Sequence, residues 1–363
     1  TAWAKVLLMF NNSWAKTLLL LLLVSTASAD HDTYMKKMAV LDGTLYIATS
    51  YYGSSGNESK LWSYDGSTMT EVTDLASREV SHIQAVGSKV AIFMSGSIYT
   101  YDPSAASDSR LTTVVSGSHW YQNFVAYDSK VYFTYWSSNS FYLKSFDGST
   151  LSSGVDLGSN PLYFIVAYNS KIYWLHRNYS AGDQYSSSNY YLYYYDGTSV
   201  TNTNKYLPYW PESPTTVLDN KLTFFANNQI YSYDGTASSP SIAYKVDSGG
   251  YPEHPTVVGD RIYFGVWSSG NTFLKYYDGS SVSSASSTAL GGDLSGMESG
   301  MVAYSGRPIF YIYDSNSSSY KLGGYYNGSL YNLASDTEND PPSKAADLVT
   351  SSSGTLLHDF TEY

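Results

Sequence analysis

Two short patterns alternate along this chain seven times each, and no other feature restricts its fold so tightly. The first is an apolar pair, a two-residue turn and a strand, as in Val40-Leu41-Asp42-Gly43-Thr44-Leu45-Tyr46-Ile47. It returns around Gly87, Asp128, Asn169, Asp219, Gly259 and Ser305, at steps of 45, 41, 41, 50, 40 and 46 residues. The second is Leu61-Trp62-Ser63-Tyr64-Asp65-Gly66-Ser67, with copies ending at Asp102, Asp147-Gly148, Asp196-Gly197, Asp234-Gly235, Asp278-Gly279 and Asn327-Gly328. A unit of this length with period-2 alternation and turn residues at fixed offsets is the signature of a propeller blade, not of a helical solenoid. The chain is therefore predicted to be all-β: a seven-bladed β-propeller with four antiparallel strands, A to D, in each blade.

The turns orient the blades. The first pattern joins strands A and B, and the second joins C and D through Asp-Gly or Asn-Gly, residues that accept the positive φ a tight hairpin demands. Both turns then share one face of the disc, the bottom. The B–C and D–A connections share the other, the top, where the spacing between the two patterns varies from blade to blade. A regular bottom and a variable top predict a scaffold that displays binding loops. The 39 tyrosines, most of them inside the repeats, fit half-buried pleated positions.

The second pattern resembles the ELWxxDGT-type repeat of secreted and surface proteins, with Leu61 to Ser67 the nearest copy. The strand order is similar to that of kelch propellers, although the kelch Gly-Gly after strand B and its strand-D Trp are absent. The likeness spans roughly residues 34 to 333. It implies a secreted propeller and no particular chemistry, because the motif marks a hairpin.

Residues 1–29 read as a signal peptide. Leu18 to Val24 is an apolar run after Lys16, and Ala27-Ser28-Ala29 has the small residues of a cleavage site, so the mature chain is expected to start at Asp30. Residues 1–8 read as upstream sequence, since Met9 would begin a leader of ordinary length. The propeller is assigned to residues 30–333. Residues 334–363 read as a Pro-broken polar linker and a tail, within which Ser353 to Leu357 echoes a strand start and is expected to close the ring or hang loose. No stretch is long enough for a membrane helix. A net charge of −11 excludes the basic footprint of a nucleic-acid binder, and the absence of cysteine excludes disulfides and thiolate chemistry.

Phosphate loops, zinc-protease helices and calcium loops are missing, and no cofactor is called for. Six turn cations, Lys89, Lys130, Lys171, Lys221, Arg261 and Arg307, read as solvated hairpin charges. The D–A loops are expected to converge on the mouth of the central channel, and they are assigned Glu79, His82, His119, Glu212, Glu253, His254 and Glu298. Such carboxylates and imidazoles can hold a metal or act as acid and base. They are also ordinary loop residues. Trp136 and Trp267 each stand eight residues past their turn, with Tyr51 and Tyr52 near the same end of blade 1. Among Ser, Gly and Asn such rings either form a recognition surface suited to sugars or pack blade against blade. Three functions follow: an extracellular binding or adhesion module for carbohydrate or protein, a secreted hydrolase or lyase using the channel-mouth His and Glu residues, and a self-assembling sheath or filament protein. The ligand-binding candidates are Trp136, Trp267, Tyr52, His82, His254, Glu79 and Glu253.

Overall fold

A computed structural model describes residues 31–335 except 54–55, 67, 76–79, 95, 117–120, 178–188, 237–241, 249, 269–270, 288–289, 291–300 and 315–318. The expected leader and tail lie outside it. The described residues form seven four-stranded antiparallel sheets, each in the order A-B-C-D. The A strands are His31–Leu41, Val80–Val86, Tyr121–Tyr127, Leu162–Tyr168, Pro211–Leu218, Pro252–Val258 and Met301–Tyr304. Each touches the A strand of the next blade, and the last touches the first. Strand A is thus innermost and the ring is closed. Blade 1 and blade 7 are each one continuous stretch of chain, so within the described residues no strand is exchanged across the seam. The seam is bridged instead by packing, including Tyr64 against Tyr304 with ring centroids 6.2 Å apart. The one helical turn described is a 3-10 turn at Ser107–Ser109, between strands C and D of blade 2.

The core lies between blades. Phe93, Val131, Phe133 and Phe146 fill the layer between blades 2 and 3, and Leu175, Leu192, Leu222 and Phe224 fill that between blades 4 and 5. Strand B is buried on both faces and so abandons alternation for continuous apolar runs, as in Val90-Ala91-Ile92-Phe93-Met94. Truncating a fully buried ring such as Phe133 costs about 3–5 kcal/mol.

The bottom explains the Tyr-Asp-Gly-Ser/Thr motif atom by atom. The A–B turns are two residues, with positive φ at both in Asp42-Gly43, Asp128-Ser129, Asn169-Ser170, Asp219-Asn220 and Ser305-Gly306. The C–D connections are four residues in the copies where Tyr64 pairs with Met69, Tyr195 with Val200 and Tyr277 with Val282. The expected two-residue turn occurs there only at Asn327-Gly328 among the described copies. In the longer form the aspartate closes the loop. Asp278 Oδ1 accepts N–H bonds from Ser280 and Ser281 at 2.9 and 2.7 Å, and Asp147 and Asp196 do the same. The preceding tyrosine adds a bond, with the hydroxyls of Tyr64, Tyr195 and Tyr277 donating to the glycine carbonyls at 2.7–2.8 Å. The turn cations are not simply solvated. Lys171 lies over Tyr194 at 3.9 Å, Arg261 over Tyr276 at 4.4 Å and Arg307 over Tyr326 at 3.7 Å, and Arg307 is buried.

Candidate functional site

The top is built on hairpins of unequal height. Strands B and C pair to within two residues of each other in blades 1, 2, 3, 5 and 6, at Gly53–Gly56, Met94–Ser97, Ser137–Ser140, Ala226–Gln229 and Ser268–Asn271. The uneven spacing between the sequence patterns therefore comes mainly from strand length. Strand B has ten residues in blade 1 (Thr44–Gly53) but six in blade 2 (Lys89–Met94) and six in blade 5 (Lys221–Ala226). Only blade 4, with twelve residues between Arg177 and Tyr190, and blade 7, with four between Asp314 and Ser319, have longer B–C connections.

The ionisable candidates stand in the channel wall and not in the D–A loops: His82, Glu212, Glu253 and His254 belong to A strands. These strands run higher than the sequence suggests because each of the first six carries a bulge near its upper half, for example between Glu253 and Thr256. The bulges place Asn123, Phe164 and His254, each five residues before its turn, at φ between 44° and 50°. Glu79, His119 and Glu298 lie outside the described residues.

His82 is stacked on Phe124 of blade 3, with ring centroids 4.0 Å apart and planes 4° from parallel. Its Nε2 is buried without a hydrogen-bond partner among the described residues. Burial, with the charge of buried Lys37 from blade 1 added, pushes its pKa from 6.5 down to about 3, so at neutral pH it is an uncharged part of the packing. Glu212 receives the Asn228 N–H at 3.0 Å, which ties the inner strand of blade 5 to its own hairpin, and burial raises its pKa. Glu253 pairs across the sheet with Gly265, two residues below Trp267. Blades 2 and 6 keep the two histidines on separate strands. Among the described residues no group of three His, Asp or Glu is placed to hold a metal.

The aromatic candidates are at the top. Trp136 ends strand B of blade 3, packs edge-on against Phe141 at 4.5 Å and is 41% exposed. Trp267 ends strand B of blade 6 and is 40% exposed. The backbone of Tyr52 pairs with Asp32 and Asn57 high on blade 1, and its side chain lies outside the described part. Three rings were not foreseen: Tyr209 and Trp210 in the connection from blade 4 to blade 5, and Tyr251 in that from blade 5 to blade 6. Tyr251 follows Gly250, whose φ of +142° and closeness to Val266 exclude any side chain there. Tyr209 and Trp210 stand between Pro208 and Pro211, rigid residues that hold a short connection outward. That Pro-Tyr-Trp-Pro string was the available signal. All five exposed large aromatics described, Trp136, Tyr209, Trp210, Tyr251 and Trp267, share the top; the sixth exposed large hydrophobic, Val200, sits at a bottom turn.

No family model matches the chain, and no curated protein matches its sequence. Solved structures do match its fold. The β-propeller domain of the Trilobed protease from Pyrococcus furiosus, described as having an open velcro topology, superposes with a TM-score of 0.63 at 13% identity over 85% of this chain and 99% of that one. Acylaminoacyl peptidase from Pyrococcus horikoshii gives 0.63 at 11% over 84% of this chain and 53% of that one. Puromycin hydrolase gives 0.61 at 9% over 86% and 55%. The chain spans about half the length of the latter two. At these identities the likeness shows a shared propeller fold.

Proposed function

We propose that this chain is an extracellular binding module that recognises carbohydrate or protein through its top face. The observation that carries the reading is the placement of every described exposed large aromatic on that face. A globular protein leaves such rings in water mainly where something is to cover them, and flat rings among Ser, Asn and Gly suit sugar faces. The same placement favours recognition over assembly into a sheath, which calls for exposed rings on the outer D strands. The hydrolase reading draws on the channel residues, of which His82 is packed under Phe124 and Glu212 is engaged by Asn228.

Export through a leader at residues 1–29 and kinship with the ELWxxDGT-type secreted repeats belong to the same proposal. The N-terminal sequence of the exported protein is expected to begin at Asp30, and retention of residues 18–24 would make them an anchor. The recognition test is a glycan-array screen on protein lacking residues 1–29, followed by titration of Trp136→Ala and Trp267→Ala. Each is expected to weaken binding several-fold, since a stacking contact is worth about 0.5–1.5 kcal/mol, with the thermal midpoint nearly unchanged. A large loss of stability with no loss of binding would return both rings to the core.

A further inference from the structure

Outside the expected leader, four asparagines head the string Asn-x-Ser: Asn57, Asn178, Asn316 and Asn327. Asn178 and Asn316 lie outside the described residues, as does the side chain of Asn57. Asn327 is described in full. It stands in the two-residue turn that joins strands C and D of blade 7, where Tyr326 pairs with Ser329. Asn327, Gly328 and Ser329 are all exposed, so the whole acceptor string lies on the surface. Resting on the export reading above, we propose that Asn327 is a site of N-linked glycosylation, which takes an oligosaccharide from a lipid-pyrophosphate donor as the chain is exported.

Two observations set this turn apart. The first is its sequence. Eight described asparagines have positive φ, and Asn327 alone among them has a hydroxyl residue two places on, which the acceptor string requires. The second is what the residue does in its turn. The other six copies of the motif carry Asp at this position, and such an aspartate folds back onto loop amides, as Asp278 does on Ser280 and Ser281. The two-residue turn of blade 7 has no loop to receive a side chain in that way, and the Asn327 carboxamide stays at the surface. Backbone geometry does not call for asparagine here. Asp42-Gly43 makes the same kind of two-residue turn, with φ of 48° and 76° against 47° and 85° at Asn327-Gly328, and Asp accepts that conformation as Asn does. Only the amide can act as acceptor. Its nitrogen bonds to the anomeric carbon of the first sugar, the bond from that carbon to the pyrophosphate oxygen breaks, the nitrogen gives up one proton and the lipid pyrophosphate leaves. The turn belongs to the bottom of the disc, so the glycan stands on the face opposite the exposed rings of Trp136, Trp210 and Trp267 and leaves them uncovered.

The experiment expresses the full chain, behind its own residues 1–29, in a eukaryotic secreting cell and reads the glycan on the secreted protein by mass. Trypsin cleaves after Lys321 and Lys344, which puts Asn327 in a peptide without another Asn-x-Ser string and separates it from Asn316. Enzymatic release of N-glycans in heavy-oxygen water leaves a labelled aspartate wherever a glycan stood, and so distinguishes an occupied Asn327 from the spontaneous deamidation to which Asn-Gly is prone. The majority of the secreted protein is expected to carry the label at Asn327. Asn327→Asp and Ser329→Ala should each remove that glycan, while Ser329→Thr should keep it. Asp42-Gly43 shows that the first change is compatible with the turn, and the thermal midpoint of each secreted variant separates a lost acceptor from a lost fold. Secreted protein with Asn327 unlabelled overturns the proposal and leaves the export reading standing. If residues 1–29 fail to export the chain, a standard leader takes their place: label at Asn327 then keeps the site and removes the leader reading, and no label removes both.

Discussion

The bottom and top faces of this ring are made from the same seven hairpin units and use their polar and aromatic groups in opposite ways. On the bottom, side chains close on their own backbone: aspartates cap turn amides, tyrosines bind glycine carbonyls, and cations lie on tyrosine rings. On the top, the rings of Tyr209, Trp210 and Tyr251 are 45–60% exposed and belong to connections that no other blade repeats. Repetition on one face and singularity on the other is how a symmetric scaffold carries an asymmetric site.

Acid should separate the faces most widely. His82 has its pKa lowered to about 3, first by burial and then by the Lys37 charge, against a hydrogen bond to the Gln84 side chain that opposes the shift. Below pH 6.5 the unfolded chain takes up a proton there and the folded chain does not. Its contribution to stability is therefore complete above pH 6.5, is lost as pH falls toward 3, and is constant below that. The slope approaches about 1.4 kcal/mol per pH unit. The bottom aspartates shift in the same direction but act in a lower pH window. Asp147, Asp196, Asp234 and Asp278 are held below the usual carboxylate range by turn amides, so their contribution persists until pH falls below about 4. Denaturation curves from pH 8 to 4 should show a decline that is clearly reduced in His82→Phe, the remainder coming from His176, whose pKa burial also lowers. A decline unchanged in that variant would mean that His82 does not titrate as its packing requires.

A smaller effect is expected at a bottom glycine. Gly279 has a φ of +89°, and a Cβ there would stand 2.5 Å from the Asp219 carboxylate. Gly279→Ala should cost about 1–2 kcal/mol from the left-handed backbone alone, measured as a shift in denaturant midpoint, with ligand affinity unaltered. A loss of affinity without a loss of stability would break the division of labour between the faces.

The amount of this that was legible in the sequence follows the same division. The blade count, strand order and bottom turns could be read because these hairpins need positive φ at fixed places, and Asp-Gly or Asn-Gly supplies it at six of the seven C–D turns. The height of the top hairpins could not, because the Ser- and Tyr-rich ends of strands such as Thr44–Gly53 look like loop when they lack an apolar alternation. His82, Glu212, Glu253 and His254 read as loop residues for a related reason: a bulge breaks the period-2 pattern and hides the upper part of each inner strand. Trp136 and Trp267 were found because they recur at one offset. Tyr209, Trp210 and Tyr251 have no counterparts in other blades, so only the structure places them beside the recurring pair.

The finest test of the comparison is Tyr251, the most exposed of these rings at 60%. It sits between Gly250 and the first residue of the inner strand Pro252–Val258, and its neighbours anchor the connection without it. Ser248 donates its hydroxyl to the Gly250 carbonyl at 2.6 Å and its N–H to the Asn228 carbonyl at 2.9 Å, and Lys275 donates to the Ser248 carbonyl at 3.3 Å. Tyr251→Ala therefore removes a ring and leaves its support standing. Stability should change by no more than about 0.5 kcal/mol, as for surface substitutions in general. If the ring belongs to the recognition face, affinity for a top-face ligand should fall by a small factor, about two- to tenfold. Gly279→Ala on the same ligand supplies the opposite pattern, stability lost and affinity kept. A Tyr251→Ala protein with unchanged affinity would confine the binding surface to the Trp136, Trp210 and Trp267 positions.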